Sequence, residues 1–266
     1  MEPLVLIHGF SGIPAMWNPM LPALQERFDV RPLGLAGHFG CAALPEGVTV
    51  SANAIFDAIE ADLDAAGLDT VHFCGNSLGG WAALELANRG RALSCTALSP
   101  AGGWDAGDKA EARLKRLFKR LHKTSNWAAP RSQSLFSRPR LRKLAFRDAL
   151  EHGERLTPRE AADIVEGSAK CPIYWDLYDA IANDGPPTDF DAIACPTTIV
   201  WGAKDRILPL KSYSERIRRL VPQAEFIVLD DAGHSPMVDQ PDRLVQIIEE
   251  TASRARESVA AGDPAA

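Results

Sequence analysis

A serine flanked at two removes by glycine, Gly75-Asn76-Ser77-Leu78-Gly79, follows directly on the β-branched and aromatic run Thr70-Val71-His72-Phe73. That order of residue types is what a nucleophilic hydroxyl needs on a tight strand-to-helix turn. At such a turn the serine takes an unfavourable backbone conformation, and side chains two residues before and after it collide across the bend. Gly75 and Gly79 remove those side chains. The hydroxyl then stands exposed above the sheet, and the backbone N–H of Leu78, in the first turn of the following helix, points to where an oxyanion forms. Chance alone produces G-x-S-x-G in about one chain of this length in ten. The flanks add the rest: a strand pattern before the turn, and after it Gly80-Trp81-Ala82-Ala83-Leu84-Glu85-Leu86-Ala87, rich in helix formers and closed by Asn88 and Gly90.

A hydroxyl is a poor nucleophile at neutral pH, so a base must take its proton and an acid must orient the base. Thr197-Thr198-Ile199-Val200-Trp201 reads as a strand ending at Gly202, with Asp205 three residues on; Glu225-Phe226-Ile227-Val228-Leu229 reads as the next strand, with His234 in the loop after it. Loops after successive strands of a parallel sheet emerge at one edge, which lets Ser77, Asp205 and His234 converge. Asp230 and Asp231 are nearer to His234 in sequence, but that closeness does not aim a carboxylate at the imidazole, and Asp189 and Asp191 precede a strand and belong to the opposite edge. The other histidines, His8, His38, His72, His122 and His152, fall outside the loops where a base is expected. A second oxyanion donor is expected in the loop Gly9-Phe10-Ser11-Gly12 that follows the strand Leu4-Val5-Leu6-Ile7: the N–H of Phe10, with that of Ser11 next in line. His8 reads as a structural residue that holds this loop by hydrogen bonds.

Taken together, His8-Gly9-Phe10, Gly37-His38-Phe39-Gly40, the elbow Gly75-Asn76-Ser77-Leu78-Gly79-Gly80, Trp201-Gly202-Ala203-Lys204-Asp205 and Gly233-His234-Ser235-Pro236 strongly resemble the α/β-hydrolase family over about two thirds of the chain. The resemblance implies the order Ser, Asp, His for the triad. It implies a parallel sheet flanked by helices, with a helical lid inserted after the strand near Ala97-Leu98-Ser99. The family commonly has two antiparallel strands before the one carrying His-Gly, and here no residues precede it to form them. The expected fold is therefore α/β, with six strands, all parallel, and the strand near Phe28-Pro32 at an exposed edge. Epoxide hydrolases and haloalkane dehalogenases of this fold share the His-Gly-Phe loop but attack with a carboxylate; a serine points to acyl transfer to water.

The chain's 266 residues, 46% of them hydrophobic, suit one α/β unit plus an insertion: a core of residues 1–103 and 190–266, and a lid of residues 104–189. A disordered tail is expected from about 260 to 266. No apolar run is long enough to span a membrane, and the strand that begins almost at Met1 argues against a signal peptide. Cys41, Cys74, Cys95, Cys171 and Cys195 are odd in number and lack metal-ligand spacing, which reads as reduced thiols in a cytoplasmic protein. No phosphate loop or metal cluster calls for a cofactor or a metal.

The alternation of strand and helix stops between Trp104 and Asp189. Thr157-Pro158-Arg159-Glu160 is a capping box that starts a helix, and Leu114, Leu117, Phe118 and Leu121 form an apolar stripe opposite Lys115, Arg116, Lys119, Arg120 and Lys123. From Asp108 to Glu160 lie fifteen of the 29 Lys and Arg but six of the 35 Asp and Glu, which puts this part at +9 and the remainder at −15. Such asymmetry suits a solvated helix face, an anionic substrate, an acidic partner or a membrane surface; with a net charge of −6 and no binding motif, nucleic acid is not expected. The aromatics Trp104, Trp127, Phe136, Tyr174, Trp175 and Tyr178 are candidates to line an acyl site or simply to pack.

The expected activity is hydrolysis of a small-molecule carboxylic ester by Ser77, His234 and Asp205 through an acyl-enzyme, with the N–H groups of Phe10 and Leu78 as oxyanion hole. The alternative on the same residues is the chemistry of carbon–carbon bond hydrolases or of the menaquinone-pathway synthase, whose elbow and first loop are similar and whose anionic substrates suit a basic lid. A non-catalytic binding protein on the same fold is the third reading. Acyl and alcohol preference and oligomeric state have no signature in the sequence.

Overall fold

Six runs of five to seven residues, mostly apolar except for the mixed run Asp29–Leu33, become strands in the computed structural model, which describes residues 1–105 and 107–260, with side chains to 257: β1 (Pro3–Ile7), β2 (Asp29–Leu33), β3 (Val71–Asn76), β4 (Ala92–Leu98), β5 (Thr197–Gly202) and β6 (Glu225–Leu229). They form one sheet in the order β2-β1-β3-β4-β5-β6, every pair parallel, with β2 at an edge as expected. The helices are α1 (Leu21–Gln25), α2 (Ala52–Ala65), α3 (Leu78–Asn88), α4 (Lys109–Ala128), α5 (Ser132–Leu135), α6 (Pro139–Phe146), α7 (Pro158–Ala169), α8 (Tyr174–Asp184), α9 (Leu210–Leu220), α10 (Pro236–Asp239) and α11 (Pro241–Ala260). The expectation of a disordered tail concerns residues that, beyond the end of α11 at Ala260, lie outside those described.

Strand alternation divides the core in two. Val5, Ile7, Phe73, Ala97 and Trp201 point to the side covered by α2, α3 and α9, where they meet Ile55, Ile59, Trp81 and Ile217. Leu4, Leu6, Cys74, Leu98 and Val200 point to the other side, against Trp17, Met20 and, from α11, Leu244, Ile247 and Ile248. Because both faces are covered, the inner strands are buried along almost their whole length and need no polar alternation.

Between β4 and β5 the chain runs through α4 to α8, with no strand among the described residues. Asp108 caps α4 by accepting the Glu111 N–H at 2.6 Å, and the Thr157–Glu160 capping box closes reciprocally at the start of α7. Leu114 and Leu117 of the apolar stripe are buried in the core, with Phe118 and Leu121 packed against it. Among the described residues no helix is long and apolar enough to cross a membrane.

Candidate active site

All strands run the same way, so the loops after β1, β3, β5 and β6 open at one edge of the sheet. Ser77, between β3 and α3, has φ +59° and ψ −116°, a conformation that costs a non-glycine residue about 1–3 kcal/mol. The crossing is tight: a Cβ on Gly75 would sit inside the Gly79 carbonyl, and one on Gly79 would sit inside the carbonyls of Ile7 and His8. Those contacts are the physical content of the two glycines. Ser77 itself is 8% exposed and borders two cavities.

Asp205, buried in the loop after β5, is held by three donors. Its Oδ1 accepts the N–H groups of Ile207 at 2.9 Å and Leu208 at 2.8 Å, and its Oδ2 lies 2.8 Å from Nδ1 of His234. A carboxylate fixed in this way makes Nδ1 the protonated nitrogen of His234 and leaves Nε2 free as an acceptor. Asp231, the nearer acid in sequence, turns instead to Lys204 at 2.7 Å and His152 at 2.8 Å. Ser77 and His234 line the same cavity, whose volume is about 730 Å³.

The loop after β1 lies against the elbow, so close that a Cβ on Gly9 would come within 3.0 Å of the Ser77 Cβ. His8 braces it: Nε2 accepts the Leu35 N–H at 3.2 Å, so Nδ1 carries the proton and donates to the Gly9 carbonyl at 2.9 Å. Burial, and then the neighbouring His38 ring, pull the His8 pKa down to about 3, so the ring is neutral and structural. Phe10 is pinned by rings of Phe118 at 5.0 Å and Tyr174 at 4.7 Å. Among the described residues the N–H groups of Phe10 and Leu78 make no backbone hydrogen bond outside the regular elements. Ser11 adopts φ +55° and its hydroxyl meets that of Ser168 on α7 at 3.3 Å.

The second cavity, about 60 Å³ and almost wholly apolar, opens from Ser77 past Leu78 toward Trp104, Leu114, Ile181 and Leu208. The six aromatics of the inserted segment divide accordingly. Trp104 and Tyr178 border this small recess, Trp127, Phe136 and Tyr174 border the larger cavity, and Trp175 borders neither.

Two residues that sequence reasoning missed hold the arrangement together. Asn76, 1% exposed, donates through Nδ2 to the His234 carbonyl at 2.8 Å and the Leu98 carbonyl at 3.2 Å, while its Oδ1 accepts the Ser235 hydroxyl at 3.2 Å. The residue before the elbow serine thus fixes the loop that carries His234. Asp239, also 1% exposed, accepts the N–H groups of Gly233 at 2.7 Å, Glu151 at 3.0 Å and His152 at 2.8 Å, joining that loop to the inserted segment. Apart from the Ser235 hydroxyl, their partners are backbone groups up to 158 residues away, which no local motif announces.

A family model described as the alpha/beta hydrolase family matches residues 4–247. The chain is 32% identical over 201 residues to the epoxide hydrolase EphH of Mycobacterium tuberculosis, an alignment covering 75% of this chain and 94% of that protein. It is 28% identical over 257 residues to the putative carbamate hydrolase RutD of Stutzerimonas stutzeri, covering 93% and 92% of the two chains. Among solved structures, a thermophilic esterase from Thermogutta terrifontis superposes with a TM-score of 0.73 at 24% identity, covering 96% of this chain and 90% of that one.

Proposed function

Because the chain belongs to the alpha/beta hydrolase family and is a hydrolase of that fold, we propose that it cleaves a carboxylic ester through an acyl-enzyme formed on Ser77. The observation that carries this reading is the buried pair of Asp205 and His234, 2.8 Å apart, facing the same cavity as a strained elbow serine. His234 Nε2 takes the Ser77 proton as the hydroxyl oxygen attacks the ester carbonyl. Asp205 holds the tautomer and balances the imidazolium that forms. The N–H groups of Phe10 and Leu78 receive the tetrahedral oxyanion. His234 then protonates the departing alkoxide, and a water activated by the same imidazole releases the acid and restores the serine. The helices between β4 and β5 act as a lid that walls the site and excludes water.

Similarity to a protein named an epoxide hydrolase does not transfer that chemistry. A serine oxygen that opens an epoxide forms an ether, which water does not cleave; a carboxylate in that place would form an ester, which it does. Carbon–carbon bond cleavage or elimination on an anionic substrate is the remaining alternative for the same three residues.

The test is a fluorophosphonate probe followed by mass spectrometry of the labelled peptide, beside a series of p-nitrophenyl esters from acetate to long chains. Label on Ser77 and ester turnover that falls by several powers of ten in Ser77→Ala support the reading. Label without ester turnover would move the assignment to the carbon–carbon or lyase chemistry, and turnover retained in Ser77→Ala would remove Ser77 from the mechanism.

A further inference from the structure

From Ala112 to Arg147 the chain carries twelve Lys and Arg and not one Asp or Glu. The structure satisfies some of these cations internally: Lys115 pairs with Glu111, Arg120 with Asp148, Lys143 with Glu154, and Arg113 and Arg142 donate to backbone carbonyls. Arg116, Lys119, Lys123, Arg131, Arg138, Arg140 and Arg147 are exposed and have no carboxylate partner among the described residues. On α4, Arg116, Arg120, Lys123 and Trp127 recur at helical spacing, forming one solvent-facing row about 16 Å long opposite the buried Leu114 and Leu117.

This cationic row ends in exposed apolar bulk. Trp127 is 61% exposed and Leu144 of α6 is 57% exposed, and both border the large cavity that holds Ser77 and His234. Two large apolar side chains left largely in water at the mouth of a cavity, within a field of cations that lack carboxylate partners and with Arg131 over the Trp127 ring, match a surface that is anionic outside and hydrocarbon within. A small anionic substrate would need the cations to converge on one point; Arg120 and Arg147 border the cavity, Arg120 already paired with Asp148, and the other cations spread along α4 and across α6. An acidic protein would answer the charges but leaves Trp127 and Leu144 without a partner phase.

We infer that the face formed by α4 and α6 docks on an anionic lipid surface, with Trp127 and Leu144 entering the interface so that the cavity opens toward the lipid. Each Lys or Arg near such a surface adds to the attraction, and the attraction fades once salt shortens the Debye length. The face binds whether or not Ser77 acts as an esterase nucleophile, so the inference stands apart from the reading above.

The test is co-sedimentation of the Ser77→Ala protein with vesicles of phosphatidylcholine alone and of an equal mixture of phosphatidylcholine and phosphatidylglycerol. Binding to the mixed vesicles at least about tenfold stronger than to neutral ones, and lost at about 0.5 M salt, is expected. Trp127→Ser with Leu144→Ser should weaken it about tenfold or more at unchanged circular dichroism. In the Ser77 parent, Arg116→Glu with Lys123→Glu should abolish vesicle binding while turnover of a dissolved short ester stays the same. Equal binding to both vesicle types, no sedimentation, or full binding by the Trp127/Leu144 variant would overturn the inference, as would capture by an acidic protein without any by vesicles.

Discussion

Removing the Asp239 carboxylate isolates how much of the site is held by one buried group. Its two oxygens receive three backbone donors, from Gly233, Glu151 and His152. A buried donor that loses its acceptor costs about 1–3 kcal/mol, more when the acceptor was charged. The Gly233 bond is buried and belongs at the upper end of that range; those of Glu151 and His152 are partly exposed, can recover water and belong near the lower end. Asp239→Ala should therefore lose about 5 kcal/mol. For a chain somewhat above 250 residues, at about 2–3 °C per kcal/mol, that lowers Tm by roughly 10–15 °C. Asp239→Asn keeps one acceptor oxygen and should lose about half as much. Because the Gly233 bond sits next to His234, kcat should fall with the loosened loop, by about tenfold, while KM for a short ester moves little. Urea titration followed by tryptophan fluorescence gives the stability, and p-nitrophenyl acetate turnover gives the kinetics. An alanine variant within about 1 kcal/mol of the parent would refute the accounting. A collapse of kcat without loss of stability would mean that the carboxylate acts in the chemistry rather than in the scaffold.

Gly79→Ala should destabilise the fold by about 3 kcal/mol or more, since its Cβ meets the fixed carbonyls of Ile7 and His8, and a chemical denaturation curve reads this directly. His8 and His38 are held neutral by burial, with pKa values pulled down to about 3 and about 4, below the unfolded value near 6.5. A depressed histidine pKa means the unfolded chain binds more protons, so stability is full above pH 6.5 and falls as pH drops toward 4, by about 1.4 kcal/mol per pH unit for each ring; urea midpoints across that range should show the slope, and His8→Gln should roughly halve it. Styrene oxide should give no diol, because an ether on Ser77 is a dead end, and chromatography of the reaction mixture decides that; catalytic diol formation would require a different nucleophile.

The sheet, and the meeting of the loops that carry Ser77, Asp205 and His234, were legible because a parallel α/β sheet converts chain order into place. Each strand's last residue fixes an edge position, so the tetrad of loops after Ile7, Asn76, Gly202 and Leu229 meets whatever the intervening segments do. The boundaries of β5 and β6 coincide with the sequence reading to within a residue: β5 is a buried apolar run between breakers, and β6, though an edge strand that is mostly half-buried or exposed, carries the run Phe226-Ile227-Val228-Leu229. Asn76 and Asp239 were not legible, because what they bind is mostly main chain brought close by the fold, and main chain has no sequence signature. The inserted helices show the same limit. Their periodicity announces α4 and α7, and the capping box announces where α7 starts, but the angle at which they meet decides which aromatics border a cavity and which cations stay unpaired. Trp127 and Trp175 look alike in sequence, yet only the first borders the site.

The edge strand β2 has a consequence for how copies of this chain behave at high concentration. Among the described residues β2 ends the sheet, paired with β1 on one side only, and its outer side is open to a neighbour. An uncovered strand edge is a template for self-association unless something blunts it. Here the strand is five residues long, Pro32 supplies no N–H to an incoming partner, and Arg31 and Asp29 are occupied with each other at 2.8 Å on the exposed surface. A second copy aligning edge to edge would gain few hydrogen bonds and would have to desolvate those charges. The short sheet is therefore guarded by the composition of its last strand, and replacing Pro32 and Arg31 with valine would turn a soluble rim into a seed for aggregation.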